Sequence, residues 1–341
     1  MLFQQGCDVH EYTILPKSIE MPGSIKTTAS IEVHRSIEAP ASIEPRALAV
    51  QVMTAQVLDG RALAAELRVA LAARAGACTA RLGRTPCLAV VLVGDDPASV
   101  AYAKVKARLA DRIGVNLRLV RLAGDPAGNT ESVVYAVDAL NADLGVDAIL
   151  VEMPLPAGYD EAAVRAAIAP EKDADGVAPA NLGRLLAGQS GPRPATPRAV
   201  MAILDAAGTQ LQGAAAVVVG RSAVVGKPLA MLLLARHATV TIAHSRTREL
   251  AAVTRSAEVL VSAAGVPGLI GAGHVRDGAT VVDVGTTFVG EGAEGRMVGD
   301  VDFDAVLNVA GALTPVPGGV GPVTTAMVFQ NTLDLAEARL A

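Results

Sequence analysis

The chain has 341 residues, of which 51% are hydrophobic and 18% charged, with a formal net charge of −5, a balance expected of a soluble globular protein of about two domains. It lacks the basic excess of a nucleic-acid binder, and with aromatics at 2% and no Trp it offers no base-stacking platform. The cysteines, Cys7, Cys78 and Cys87, form no CxxC pair, and neither they nor the histidines show ligand spacing, so no metal is expected and the thiols read as inert in a reducing cytoplasm. No apolar run reaches the ~18 residues of a membrane span, and no secretory signal opens the chain.

Residues 1–52 differ in kind from the rest. A Ser-Ile-Glu or Ser-Ile-Lys tripeptide recurs every six residues, at Ser18, Ser24, Ser30, Ser36 and Ser42. One Ile per short turn cannot bury a core, so disorder is the expectation. The acids of this stretch outnumber its Lys and Arg, which argues against a mitochondrial presequence. The globular pattern begins abruptly at Met53, and 1–52 reads as an unstructured extension, or as upstream sequence translated from a wrongly assigned start.

From Met53 the segments alternate. A helical stretch at RALAAELRVALAARAGAC precedes a buried strand at 86–94. A helix over 99–114 follows, opened by Pro97 and Ser99 and stopped by Gly114. Next come the strand NLRLVRL, a helix with a Thr130 cap signal, and the strand VDAILVEM. This βαβαβ order predicts a parallel sheet covered on both faces. A second α/β unit begins near 196 and continues to a last helix over 323–340. The fold class is therefore α/β in two domains, with a Rossmann-like unit second.

In VVVGRSAVVGKPLAMLLLA, Gly220 and Gly226 bracket a turn between strand and helix, which aims backbone N–H groups at an anion. An NAD site carries an acid after the second strand. Here that strand ends His244-Ser245-Arg246-Thr247, with no acid, and a hydroxyl beside a guanidinium suits a 2′-phosphate. Arg221 adds a second cation, so NADP is favoured over NAD; His244 is given no catalytic role.

In the first unit, Tyr102 and Lys106 stand i and i+4 on one helix face. They read either as a solvated face or as a stacking ring beside a proton-moving lysine. The same spacing occurs in short-chain dehydrogenases, but there the nucleotide glycines come first. Asp173 and Asp175 in PEKDADG form a turn, either merely solvated or able to accept the N–H groups of a pterin-like ring. Glu152 ends the apolar run DAILVEMPLP. A carboxylate there is costly unless it faces water or a cation.

Together VGDDPASVAYAKVKA, VEMPLPAG, PEKDADG, GRSAVVGKP, ATVTIAHSRT, GDVDF and TPVPGGVGPVTTAM, in this order, resemble the bifunctional methylenetetrahydrofolate dehydrogenase/methenyltetrahydrofolate cyclohydrolase family from Met53 onward. The resemblance implies a folate-binding catalytic domain over 53–192 and 322–341, the last helix returning to it, and an NADP-binding domain over 193–321. It further implies a small-molecule folate substrate, no nucleic-acid or membrane partner, and a homodimer. By the same resemblance Tyr102 packs on the folate, Lys106 serves proton chemistry, Asp175 anchors the pterin with Asp173 beside it, and Pro317, Gly318 and Gly319 line the folate cleft. Gly220, Arg221, Ser222, Gly226, Ser245, Arg246 and Thr287 are the implied cofactor contacts.

Three departures stand out. The family usually has glutamine at Glu152, cysteine at Ala195, and a hydrophobic-Asn pair where Thr286-Thr287 stand. A carboxylate at 152 would pair with Lys106, hold it as the ammonium and oppose a base role. The expectation is a retained dehydrogenase step with reduced or altered cyclohydrolase. The competing readings are a divergent paralogue acting on another pterin and a non-catalytic NADP-binding protein.

Overall fold

The computed structural model describes residues 54–125, 127–290 and 295–340. The hexad repeats and Met53 lie outside the described residues. The first lobe is a βαβαβ unit built from β2 (Cys87–Val93), α2 (Pro97–Ile113), β3 (Asn116–Leu122), α3 (Thr130–Ala142) and β4 (Ala148–Val151), preceded by β1 (Gln56–Val57) and α1 (Gly60–Leu82). Its sheet is parallel, in the order β3-β2-β4. Every residue of β2 is buried, because β3 and β4 flank it and helices cover its faces. Helix α2 starts where Asp96 accepts from the Ser99 amide at 2.8 Å and ends at Gly114, whose φ of 74° suits a residue without Cβ. Helix α3 is capped by Asn129, whose side chain accepts from Ser132 N at 3.1 Å, rather than by the Thr130 that the sequence signalled.

Short helices α4 (Glu161–Ala167) and α5 (Pro179–Leu186) lead to the second lobe. There follow α6 (Ala195–Ala206), β5 (Ala215–Val219), α7 (Gly226–Ala235), β6 (Thr239–Ala243), α8 (Leu250–Thr254), β7 (Val259–Ser262) and β8 (Thr280–Asp283). Then come a hairpin of β9 (Thr287–Val289) and β10 (Arg296–Val298), α9 (Phe303–Val306), β11 (Ala312–Leu313) and α10 (Val320–Ala338). The parallel sheet runs β1-β11-β8-β7-β5-β6. β5 is followed by β6 on one side and flanked by β7 on the other, so the chain reverses its winding at the end of β5, where ligands of open α/β sheets bind.

Several short elements, among them α9 and β11, carry no sequence pattern of their own. β1 belongs to the second lobe's sheet, with Gln56 opposite Ala312 and Val57 opposite Leu313. A two-residue strand carries no periodicity to find. The hairpin β9–β10 was also missed. The last helix does return to the first lobe, packing on α1 and touching β2 and β4, and it also packs on α6 of the second lobe. Arg74 bridges to Asp334 at 2.9 Å and to Glu337 at 2.7 Å. Arg339 meets Asp147 at 2.9 Å, and Arg84 meets the same carboxylate at 2.7 Å. Asp147 is fully buried; burial alone would push its carboxyl up, but the Arg84 hydrogen bond and the neighbouring cations hold it below the usual range.

Candidate active site

Between the lobes lies a cavity of about 770 Å³. Tyr102, Val105, Lys106 and Leu109 reach it together, because positions three and four apart share one face of α2. Lys106 is only 9% exposed, and its Nζ donates to both Glu152 oxygens, at 2.8 and 3.0 Å. Glu152 directly follows β4 and its own amide donates to Val91 O at 2.9 Å, so the sheet holds the carboxylate in place. At 7% exposure Glu152 is not a solvated edge residue; of the two sequence alternatives, the one beside a cation is observed. Tyr102, 42% exposed, lines the cavity with its ring centroid 5.7 Å from Lys106 Nζ.

The two acids of PEKDADG take different places. Asp173 is fully buried and spent on the turn: its oxygens accept from Gly176 N at 2.9 Å, Ala178 N at 2.7 Å and Asn181 Nδ2 at 2.9 Å. It does not line the cavity, contrary to the expectation of a substrate contact, because its two oxygens are turned inward onto these donors of the turn. Asp175 does line the cavity, and among the described residues its carboxyl has no hydrogen-bond partner. Burial pushes it up to about 6, and the Asp173 carboxylate pushes the same way. Its backbone carbonyl accepts from Ala195 N at 3.0 Å, so Ala195 acts behind Asp175, at the buried start of α6.

Pro317, Gly318 and Gly319 form another wall, after the cis bond Val316–Pro317. Gly318 has φ 119°, and a Cβ there would stand 3.1 Å from Cζ of Arg61, so the guanidinium lies against this loop. The second lobe contributes Val225, Asp283, Gly285, Thr286 and Met297. Thr287 itself does not line the cavity; its neighbour Thr286 does. Asp283 was missed in the sequence. It is pushed up to about 6 by burial although it accepts from Gly285 N at 2.9 Å, Asp300 N at 3.1 Å and Val301 N at 2.9 Å.

At the end of β5, Gly220 has φ 131°, and a Cβ there would lie 2.3 Å from Ala263 O, so only glycine turns the chain here. Ser222 Oγ accepts from Val225 N at 3.1 Å and Gly226 N at 3.3 Å and shapes the entry to α7. Arg221, Ser245 and Arg246 are exposed, and among the described residues neither guanidinium is in an ion pair. Two free guanidiniums, a hydroxyl and an exposed turn form a donor set that fits a phosphorylated dinucleotide. The His244 Nδ1 accepts from Arg246 N at 3.1 Å, which makes it a turn former.

The cavity thus presents an aromatic ring, an ion pair and a high-titrating carboxyl, and of the β5–α7 turn only Val225 lines it. Residues 58–175 match the tetrahydrofolate dehydrogenase/cyclohydrolase catalytic domain, and residues 194–340 match the NAD(P)-binding domain of the same enzymes. The chain belongs to the tetrahydrofolate dehydrogenase/cyclohydrolase family. Among its relatives, the bifunctional protein FolD of Synechococcus sp. (strain WH7803) is 51% identical over 276 residues, which are 81% of this chain and 92% of that one. FolD of Sorangium cellulosum (strain So ce56) is 50% identical over 291 residues, 85% of this chain and 99% of the relative. The crystal structure of the bifunctional enzyme FolD from Campylobacter jejuni superposes with a TM-score of 0.79 at 38% identity, covering 83% of this chain and 99% of that one. The dehydrogenase-cyclohydrolase of Trypanosoma brucei, solved with NADP and an inhibitor, gives a TM-score of 0.79 at 37% identity, over 84% and 98% of the two chains.

Proposed function

We propose that this family member oxidises 5,10-methylenetetrahydrofolate to the 5,10-methenyl form with NADP⁺ and hydrolyses that product to 10-formyltetrahydrofolate, with the second step restrained by Glu152. The observation that carries the reading is the convergence of Tyr102, Lys106 and Asp175 on a cavity whose far wall belongs to the nucleotide lobe. NADP⁺, when bound, supplies the hydride acceptor. The protein's task in the first step is positioning, since hydride transfer needs the reacting carbons within ~3.5 Å. Tyr102 stacks on the planar part of the folate. Asp175, unpartnered, takes the N–H groups of the pterin. The loop Pro317 to Gly319 closes over it. Asp173 supports this from behind by fixing the turn.

In the second step water attacks the methenyl carbon, its proton passes to a base, and one C–N bond breaks as a ring nitrogen is protonated. Lys106 is the group we place within reach of such transfers, and its Nζ is held by two short contacts to the Glu152 carboxylate. Its N–H groups can hold the water, and the paired carboxylate restrains how Nζ can move toward it. The reading that this is a divergent enzyme for another pterin is not favoured, given relatives of about 50% identity over nearly their full length.

Arg221, Ser245 and Arg246 hold the 2′-phosphate, while Gly220, Ser222 and Gly226 shape the turn under the pyrophosphate. The lobe comprising 193–321 acts as the nucleotide domain, and 53–192 with 322–341 as the folate domain. The protein acts in the cytoplasm as a homodimer; the open edge of β6, where Ile242 is 38% exposed, is the surface that supports pairing. The deciding experiment is NADPH formation from methylenetetrahydrofolate and NADP⁺, with light scattering for the dimer. No turnover, or turnover with NAD⁺ equal to that with NADP⁺, would refute the assignment.

A further inference from the structure

We propose that Asn331 is a positioning residue for Asp175: its side-chain amide fixes the backbone on either side of that acid and so sets the direction of the carboxyl that meets the pterin. This rests on the folate reading above and deepens it. Asn331 belongs to α10 and is fully buried. Its Nδ2 donates to Ala174 O at 2.8 Å and to Arg193 O at 2.9 Å, and its Oδ1 accepts from Arg198 Nη1. Two carbonyls on one side and a guanidinium on the other decide which end of the amide is which, and they use both of its N–H groups and its oxygen. Aspartate has the same shape but no donors, and leucine has neither donor nor acceptor.

The two carbonyls belong to the segments that frame Asp175. Ala174 O is the oxygen of the peptide group whose nitrogen is Asp175's own, and the Ala174 amide donates to Ile149 O of β4 at 3.1 Å. Arg193 stands two residues before Ala195, whose amide donates to Asp175 O at 3.0 Å. A Cβ on Gly176 would stand 2.3 Å from the Arg193 carbonyl carbon, so the two segments are pressed together where Asn331 joins them. The peptide before Asp175 is therefore held by Asn331 directly, and the peptide after it by a segment that Asn331 also holds. Among the described residues the Asp175 carboxyl has no hydrogen-bond partner of its own, so this backbone sets where it points. A shift of ~1 Å at such an anchor is enough to weaken it severely. Arg198 of α6 also pairs with Asp334 of α10 at 3.0 Å, so the latch spans both lobes.

Steady-state kinetics of the full chain, with methylenetetrahydrofolate and NADP⁺ varied in turn, test this. N331D keeps the side-chain volume and an acceptor for Arg198 and removes only the two donors. Its KM for methylenetetrahydrofolate rises about tenfold, the size of one misaligned contact to a charged group, while kcat stays within about threefold and the KM for NADP⁺ within about twofold. N331A, which removes all three contacts, shows the same rise and takes the place of N331D should the buried carboxylate prevent folding. R74Q breaks ion pairs of the same helix with α1 but touches neither carbonyl, and it leaves all three constants at the parent's values. A folate KM at the parent's value in the folded variants, a fall in kcat with both KM values unchanged (the mark of fewer folded molecules), or an equal rise of the folate KM in R74Q would overturn the role. Failure of the parent to form NADPH would overturn the activity and the role together, whereas a working parent with unresponsive variants overturns the role alone.

Discussion

Replacing Glu152 by glutamine separates the two half-reactions. The carboxylate and the Lys106 ammonium are 2.8 Å apart and nearly buried. At an effective dielectric of about 20 their attraction is about 6 kcal/mol, and desolvation of the two ions removes several kcal/mol of it. About 1.5 to 3 kcal/mol remains as the net contribution of the charged contact. Glutamine keeps an acceptor for Nζ but carries no charge, so the charged contact is lost and the amine is freer to move. If the cyclohydrolase step needs Lys106 as a base, E152Q accelerates methenyl hydrolysis roughly tenfold to a hundredfold. Hydride transfer is a positioning task and changes by less than about threefold. Loss of methenyl absorbance without cofactor reports the first rate, and NADPH formation reports the second. If E152Q hydrolyses methenyltetrahydrofolate no faster than the parent, the idea that Glu152 restrains this step is wrong.

Other substitutions probe the surroundings. Asp175 titrates at about 6 in the folded protein against 3.8 for a free carboxyl, so ionising it opposes folding as pH rises through that window. D175N is therefore more stable than the parent at pH 8, by up to about 3 kcal/mol, with the gap closing below pH ~4; denaturant titrations at both pH values check this, and equal stability at pH 8 would refute it. D147N lowers stability by about 3 kcal/mol near neutral pH because two guanidiniums lose their buried partner. Asp147 is held below its unfolded value, so its contribution is lost as pH falls through the folded value and the difference disappears in acid. R246Q raises the KM for NADP⁺ about tenfold and leaves that for NAD⁺ unchanged; equal effects on both would remove the 2′-phosphate role.

Much of this could be read before any coordinates, for reasons that differ by residue. Tyr102 and Lys106 were legible because helical spacing fixes a shared face. Glu152 was legible because an acid ending a buried apolar strand demands a partner. The same rule applied to the end of the strand TVVD would have found Asp283, which also lines the cavity. Asp173 and Asp175 could not be ranked from sequence, since which acid a turn consumes depends on where Asn181 and the amides of Gly176 and Ala178 fall. Arg61 of α1 stayed hidden because only the packing of α1 beside α2, α10 and the Gly318 loop turns it toward the cleft.

The pairing of β1 with β11 has a mechanical result. The leading strand of the described chain is woven into the second lobe's sheet while the trailing helix packs on α1 of the first lobe as well as on α6 of the second, so the polypeptide crosses the gap at both extremities as well as in the middle. Neither half can be excised as a free-standing piece: residues 194–340 alone would bare the flank of β11 and orphan the apolar side of α10. The two halves are tethered like covers stitched along more than one seam, which limits how far they can swing apart when ligands enter and leave.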